Sequence, residues 1–137
     1  MRALALTAIA LVALGVGCVT RHPPAPSPGV KDLVVVESPP PGAAVTSPLT
    51  VRGRAQGSWY FEAVFPVRLV DAKGNVLASG PARAQGEWMT PEFVDFAITL
   101  TFAAPSDSAT GTLVLERSNP SGLPEHAAEV RVPVRFR

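Results

Sequence analysis

Few residues in this sequence have the chemistry to act on another molecule. Glu62 lies in WYFEAVFPVRLVD (59–71), Glu87 and Glu92 in QGEWMTPE (85–92), His126 in NPSGLPEH (119–126), and Cys18 closes LGVGC (14–18). Two carboxyl groups about 5 to 10 Å apart would suit hydrolysis of a cell-wall polymer. A histidine among carboxylates would suit a metal, and a serine or cysteine beside a histidine would suit acyl transfer. The spacing favours none of these. Glu87 and Glu92 share one loop, which fixes no distance between them, and no G-x-S-x-G elbow occurs. His22 and His126 have no serine or cysteine partner that the sequence places beside them, and His126, after Glu125 in a polar loop, reads as an exposed imidazole. DAKGN (71–75) alternates acidic and amide groups but lacks the other ligands of a calcium loop. NPS (119–121) is barred from glycosylation by its central proline, and no glycine-rich phosphate loop is found. The expectation is a non-enzymatic protein with no catalytic residue, no cofactor and no metal site.

Cys18 carries a different chemistry. Arg2 and the apolar run 3–16 make a charged start and a hydrophobic core too short to cross a bilayer, which takes about 20 residues. Residues 1–17 therefore read as an export signal. LGVGC resembles the lipoprotein signal in which a cysteine receives a diacylglyceryl group; Gly17 fits that pattern, while Gly15 stands where a large aliphatic residue is usual. The glycines also satisfy the small-x-small rule of ordinary cleavage, which would leave a secreted or periplasmic protein with an N-terminal thiol. The favoured reading is an exported protein held on the extracytoplasmic side of the membrane by lipid on Cys18.

The chain has 137 residues, 12 of them basic and 11 acidic. Without Arg2 the signs balance at 11 each, and they are scattered, which argues against nucleic acid as a partner. With one cysteine, no internal disulfide can form, so packing alone must hold the fold.

Residues 18–31 include VTRHPPAPSPGVK, whose four prolines favour an extended tether. At about 3.1 Å per residue, thirteen residues reach roughly 40 Å. From 32 to 137 the pattern is one domain of short runs rich in Val, Phe, Thr and Leu, separated by turn-formers. Strands are expected near 32–37, 49–55, 59–70, 76–83, 93–102, 112–117 and 128–136, with a tight turn at DAKGN. Val130, Val132, Val134 and Phe136 alternate with Arg131, Pro133, Arg135 and Arg137. Val94, Phe96, Ile98, Leu100 and Phe102 alternate in the same way. Faces of this kind, with no helix to cover them, must close on another sheet. The fold class is all-β, an immunoglobulin-like sandwich of about seven antiparallel strands.

Period two in 59–70 puts Trp59, Phe61, Ala63, Phe65, Val67 and Leu69 in the core and Tyr60, Glu62, Val64, Pro66, Arg68 and Val70 outside. Pro66 marks an edge or a bulge. Glu62 reads either as a cross-strand partner of Arg52, Arg54 or Arg117 or as a binding residue. An up-and-down course gathers alternate loops at one end, here 57–58, 84–92 and 119–126. That pole collects Trp59, Glu87, Trp88, Met89, Glu92, Asn119 and His126. Trp88 either plugs the end of the core, the commoner fate of such a residue, or meets a partner.

In order, SPPPGAAVTSPLTVRGRA, GSWYFEAVFPVRLVDAKGNVLA, AQGEWMTPEFVDF, LVLERSNPSG and VPVRF resemble the Gmad2 domain, an immunoglobulin-like module associated with bacterial spore germination and sporulation proteins. The resemblance runs from about Leu33 to Phe136. It implies an immunoglobulin-like sandwich in exported envelope proteins, in some of which it accompanies a second module, often GerMN. It supplies no catalytic residues; its recurring positions match Trp59, Glu62, Phe65, Gly74, Trp88, Met89, Asn119 and Pro120. The sequence thus points to an envelope lipoprotein presenting a sandwich to a protein or cell-wall component. Its candidate contact residues are Trp59, Glu62, Glu87, Trp88, Met89 and Asn119. The alternatives are a wall hydrolase using Glu62, Glu87 or Glu92, and a structural spacer.

Overall fold

The structure, a computed structural model, describes residues 29–137. The expected signal 1–17, the lipidation site Cys18, His22 and the tether as far as Pro28 lie outside the described residues. Val30–Asp32 forms one 3-10 turn, closed by the Asp32 N–H donating to the Gly29 carbonyl at 2.8 Å.

Eight strands follow: β1 (Val34–Ser38), β2 (Ala43–Val45), β3 (Leu49–Gln56), β4 (Val64–Asp71), β5 (Val76–Ala84), β6 (Phe93–Leu100), β7 (Thr110–Glu116) and β8 (Glu129–Phe136). They hydrogen-bond in the order β1-β3-β6-β5-β4-β7-β8-β2, in a sheet that curls into an immunoglobulin-like β-sandwich. No α-helix occurs among the described residues. One layer is β1, β3 and β6; the other is β4, β7, β8 and β2. β5 joins them, pairing with β4 over most of its length and with β6 only through Arg83–Ala97 and Ala84–Phe96.

The sequence pattern announces seven strands, and the eighth is β2. It is three residues long inside a run of turn-formers, so no periodicity marks it. After β1 the chain crosses to the opposite layer through Pro39 to Pro41 and Gly42, whose φ is 77°. There β2 pairs in parallel with β8, Ala43 against Val134 and Val45 against Phe136.

The alternation read in the sequence holds where strands are regular. In β3, Val51 and Ala55 are buried while Arg52 and Arg54 are exposed. β6 and β8 turn Val94, Phe96, Leu100, Val132 and Val134 inward as expected. Trp59, Phe65, Leu69, Leu113 and Leu115 fill the centre with no solvent contact, each worth about 1.5–3 kcal/mol for a fully buried large apolar side chain.

Pro66 lies in a strand that is central further along, but at a part of it whose outer side is unpaired, the local edge expected of a proline. It lies opposite Pro81 of β5, and neither can donate, so the two form a non-hydrogen-bonded pair whose missing N–H groups point away from each other. On those sides the ladders have not begun: β4 meets β7 from Val67 onward and β5 meets β6 from Arg83 onward. The prolines thus occupy positions where the sheet asks for no donor.

On the outward face of β4, β7 and β8 the charges pair with one another, although the buried Arg68 Nε has no hydrogen-bond partner among the described residues. Arg68 Nη2 lies 2.7 Å from Glu116 and 3.5 Å from Glu129, and Glu129 pairs with Arg131 at 2.7 Å. Glu116 and Glu129 stand opposite each other in the register, so Arg68 relieves a like-charge repulsion. Val114, between Arg68 and Arg131, points outward yet is fully buried, as expected when arginine stems lie across an apolar neighbour.

At the far pole the DAKGN turn is built on Asp71. Its carboxylate accepts the N–H groups of Lys73 and Asn75 at 2.9 and 2.8 Å and the Asn75 side-chain amide at 3.0 Å. Gly74 has φ 85°, a conformation that favours glycine. The Asn75 amide, then the backbone donors, hold the Asp71 carboxyl below its usual pKa. A carboxyl depressed by folding stabilises above its unfolded value of about 3.9, and the effect disappears as the pH falls through the folded value. Asp71→Ala is therefore expected to lower the melting temperature at neutral pH, with the deficit shrinking below about pH 4 in a series of thermal melts.

Candidate functional site

The expected gathering of three loops is present. After β3, Gly57–Trp59 makes a 3-10 turn, and the Gly57 N–H donates to the Glu92 carbonyl at 3.1 Å. A Cβ at Gly57 would run into the carbonyl oxygens of Trp88 and Thr90, so glycine lets the β5–β6 loop lie against this turn. The β7–β8 loop joins through the Ser118 N–H to the Trp59 carbonyl at 3.0 Å and Arg117 Nε to the Ser58 carbonyl at 3.2 Å. The chain enters at the same pole, where the Gln56 N–H donates to the Leu33 carbonyl at 2.9 Å.

Beneath the loops lies an aromatic cluster. Phe65 is edge-on to Trp59, Tyr60 and Phe96 at centroid distances of 6.4, 5.2 and 4.9 Å. The Tyr60 hydroxyl donates to the Val94 carbonyl at 2.7 Å, and burial, reinforced by the charge of Asp95, pushes its pKa well above that of a free tyrosine. Trp59 is wholly buried, so it supports the pole from within and offers no surface to a partner; its indole Nε1 has no hydrogen-bond partner among the described residues.

The stretch before β4 departs from the expected strand. Period two places Phe61 in the core and Tyr60 outside, whereas Tyr60 is buried and Phe61 is 45% exposed. The cause is a two-residue hairpin turn, with the Phe61 N–H on the Val64 carbonyl at 3.0 Å and the Val64 N–H on the Phe61 carbonyl at 3.1 Å. Glu62 and Ala63 have φ of 51° and 66°, the type I′ pattern that ordinarily calls for Asn-Gly. Glu62 is thus on a turn, and it makes no ion pair with Arg52, Arg54, Arg117 or any other described residue. Arg54 instead stacks 5.5 Å over Phe93.

Trp88 is half-buried and packs on the core, the plugging role, while its neighbour Met89 is 73% exposed. Glu87 accepts the Met89 N–H at 3.0 Å. Phe61 and Leu123, each 45% exposed, complete the apolar tips of this pole. Its loops 57–63, 85–92 and 117–128 hold four carboxylates, Glu62, Glu87, Glu92 and Glu125, against one arginine, Arg117.

His126 does have a serine partner, which its position in the sequence conceals. Ser121 Oγ lies 2.9 Å from His126 Nδ1 and 2.7 Å from Asn119 Oδ1. Asn119 in turn donates to the Leu123 carbonyl at 2.9 Å. The amide oxygen of Asn119 takes the single hydroxyl proton, so His126 Nδ1–H donates to Ser121. A serine whose proton points away from the imidazole is not poised for attack; the cluster braces the loop. Of the three candidate carboxylates, Glu62 lines a groove of about 390 Å³ that neither Glu87 nor Glu92 joins. No cluster of three metal-ligating side chains occurs among the described residues.

The family model for Gmad2, an immunoglobulin-like domain of bacterial spore germination, matches residues 33–122. The match covers β1 to β7 and the first part of the loop carrying Asn119; β8, which completes the second layer, lies beyond it. No curated protein shows a significant match to the chain.

Non-glycine residues at positive φ cost about 1–2 kcal/mol each, partly offset by the greater unfolded freedom of glycine. Replacing Glu62 by Asn and Ala63 by Gly together is expected to stabilise the domain by about 1 kcal/mol, read as a raised urea midpoint with an unchanged slope.

Proposed function

The chain belongs to the Gmad2 family, and from that premise we propose that it is a non-catalytic envelope module that presents its loop pole to a protein or cell-wall partner. The observation that carries this reading is the division of labour at that pole. The tryptophans and Tyr60 face inward and fix the loops, while Phe61, Met89 and Leu123 stand in solvent at their tips. Residues that are both apolar and exposed on a rigid support are the usual material of contact surfaces.

Orientation adds to it. The chain enters at Leu33, beside the end of β3, so a tether in 18–31 would leave from the loop pole and not from the far one. With lipid on Cys18, the loop pole would face the membrane across at most about 40 Å of extended chain. A partner embedded in or lying along that surface would be within reach. The self-paired face of Arg68, Glu116, Glu129 and Arg131 offers less, because its charges already have partners.

Photo-cross-linking in intact cells tests the reading. A photoreactive residue at Met89 is expected to capture a discrete partner, and the same residue at Lys73 of the far pole is not. Met89→Asp should reduce capture from a reporter at Leu123 while leaving the melting temperature unchanged. Equal capture from both poles would overturn the assignment, and no capture from either would make the domain a spacer.

A further inference from the structure

The groove beside the strained turn has a composition of its own. Phe61, Val64, Pro66 and Pro81 give it an apolar floor on the outward face of β4 and β5, with Glu62 and Ser118 at its rim. It exists because the sheet is open there: the Pro66–Pro81 pair leaves no donors toward β7 or β6, and neither neighbouring strand closes over it. An occupant is therefore gripped by side-chain contact and not by adding a strand, since a row of unpaired N–H groups is what strand addition needs.

Glu62 is held at that rim in a conformation that a glutamate adopts only at a cost, although Asn or Gly would serve the turn better. Its carboxylate is exposed and makes no ion pair with a described residue. Arg83, opposite Val64 in the register, makes no ion pair with it and does not line the groove. The single arginine among the loops of this pole, Arg117, is engaged with the Ser58 carbonyl. Among the residues that line the groove, Glu62 is the only charged one.

We propose that this groove docks an extended basic segment of a partner protein, with an aliphatic or proline side chain on the Phe61–Pro66–Pro81 floor and a lysine or arginine against Glu62. This rests on the reading of the loop pole as the contact end and names the chemistry of what it contacts. The strained turn is kept because it aims Phe61 and Glu62 at the same ligand.

The test uses the full chain and two dye-labelled hexapeptides that differ only in charge, one alternating leucine, proline and lysine, the other with glutamate for lysine. Neutral phosphatidylcholine vesicles are the third probe. Fluorescence anisotropy is expected to show binding of the lysine peptide, weakened by 0.5 M salt, with the glutamate peptide at least tenfold weaker. Glu62→Gln should weaken the lysine peptide by about two- to fivefold, the range for loss of one exposed charge pair, without changing the melting temperature. Phe61→Ala should weaken both peptides. Equal binding of the two peptides, indifference to Glu62→Gln, or binding of vesicles alone would overturn the proposal. If any of these occurs while Met89 still cross-links a partner, the loop pole stands and only the groove assignment falls. If the cross-link is lost while the lysine peptide still binds, the groove assignment stands and the wider loop-pole reading falls.

Discussion

The contact of Phe65 with Trp59, Tyr60 and Phe96 is the constraint on which the rest depends. Phe65 belongs to β4 in one layer and Phe96 to β6 in the other, so their edge-on contact at 4.9 Å is a direct tie between the sheets. Trp59 and Tyr60 come from the turn that precedes β4, and their burial against Phe65 fixes where that turn can lie. In a domain without an internal disulfide, this packing replaces the covalent link. The loop that follows β5 then rests on Gly57, the loop that follows β7 hangs from the Trp59 carbonyl, and both reach the same end.

Much of this is legible in the sequence, and the exceptions have physical causes. Strands β6 and β8 alternate strictly because each has one wet face, so period two exposes them. The DAKGN turn shows itself because Gly74 and Asn75 are the residue types such turns select. Loop clustering follows from the up-and-down course of the chain. Tyr60 and Phe61 exchange places because Glu62-Ala63 forms a hairpin turn without the glycine or asparagine that would betray one. β2 is too short for any period to register. The Ser121–His126 contact spans a 3-10 turn, Pro124–His126, whose geometry no spacing rule conveys.

One of these exceptions, the turn at Glu62 and Ala63, lies at the candidate site. Where a sequence and its backbone disagree, strain is stored, and strain is kept where something other than stability depends on it. At the far pole the residues of the DAKGN turn match their conformation: Asp71 accepts the Lys73 and Asn75 N–H groups and the Asn75 amide, and Ser108 Oγ receives the Ala72 N–H at 3.1 Å. At the loop pole Glu62 and Ala63 do not match theirs, and the residues beside them are apolar and exposed. The turn residues fit their backbone at one end of the domain, while at the other Glu62 and Ala63 depart from that fit beside a groove.

Tyr60 reports on the central packing directly, because it is the only tyrosine in the 137 residues. Its phenol is buried against Phe65 and bonded to the Val94 carbonyl, and a group whose pKa is raised by folding stays protonated until the fold is lost. An absorbance titration at the tyrosinate band, run beside circular dichroism, therefore has one source. The account predicts no tyrosinate signal near pH 10, the range of a free phenol, and its abrupt appearance only with unfolding at higher pH. A smooth titration centred near pH 10 with the β-sheet spectrum unchanged would contradict it.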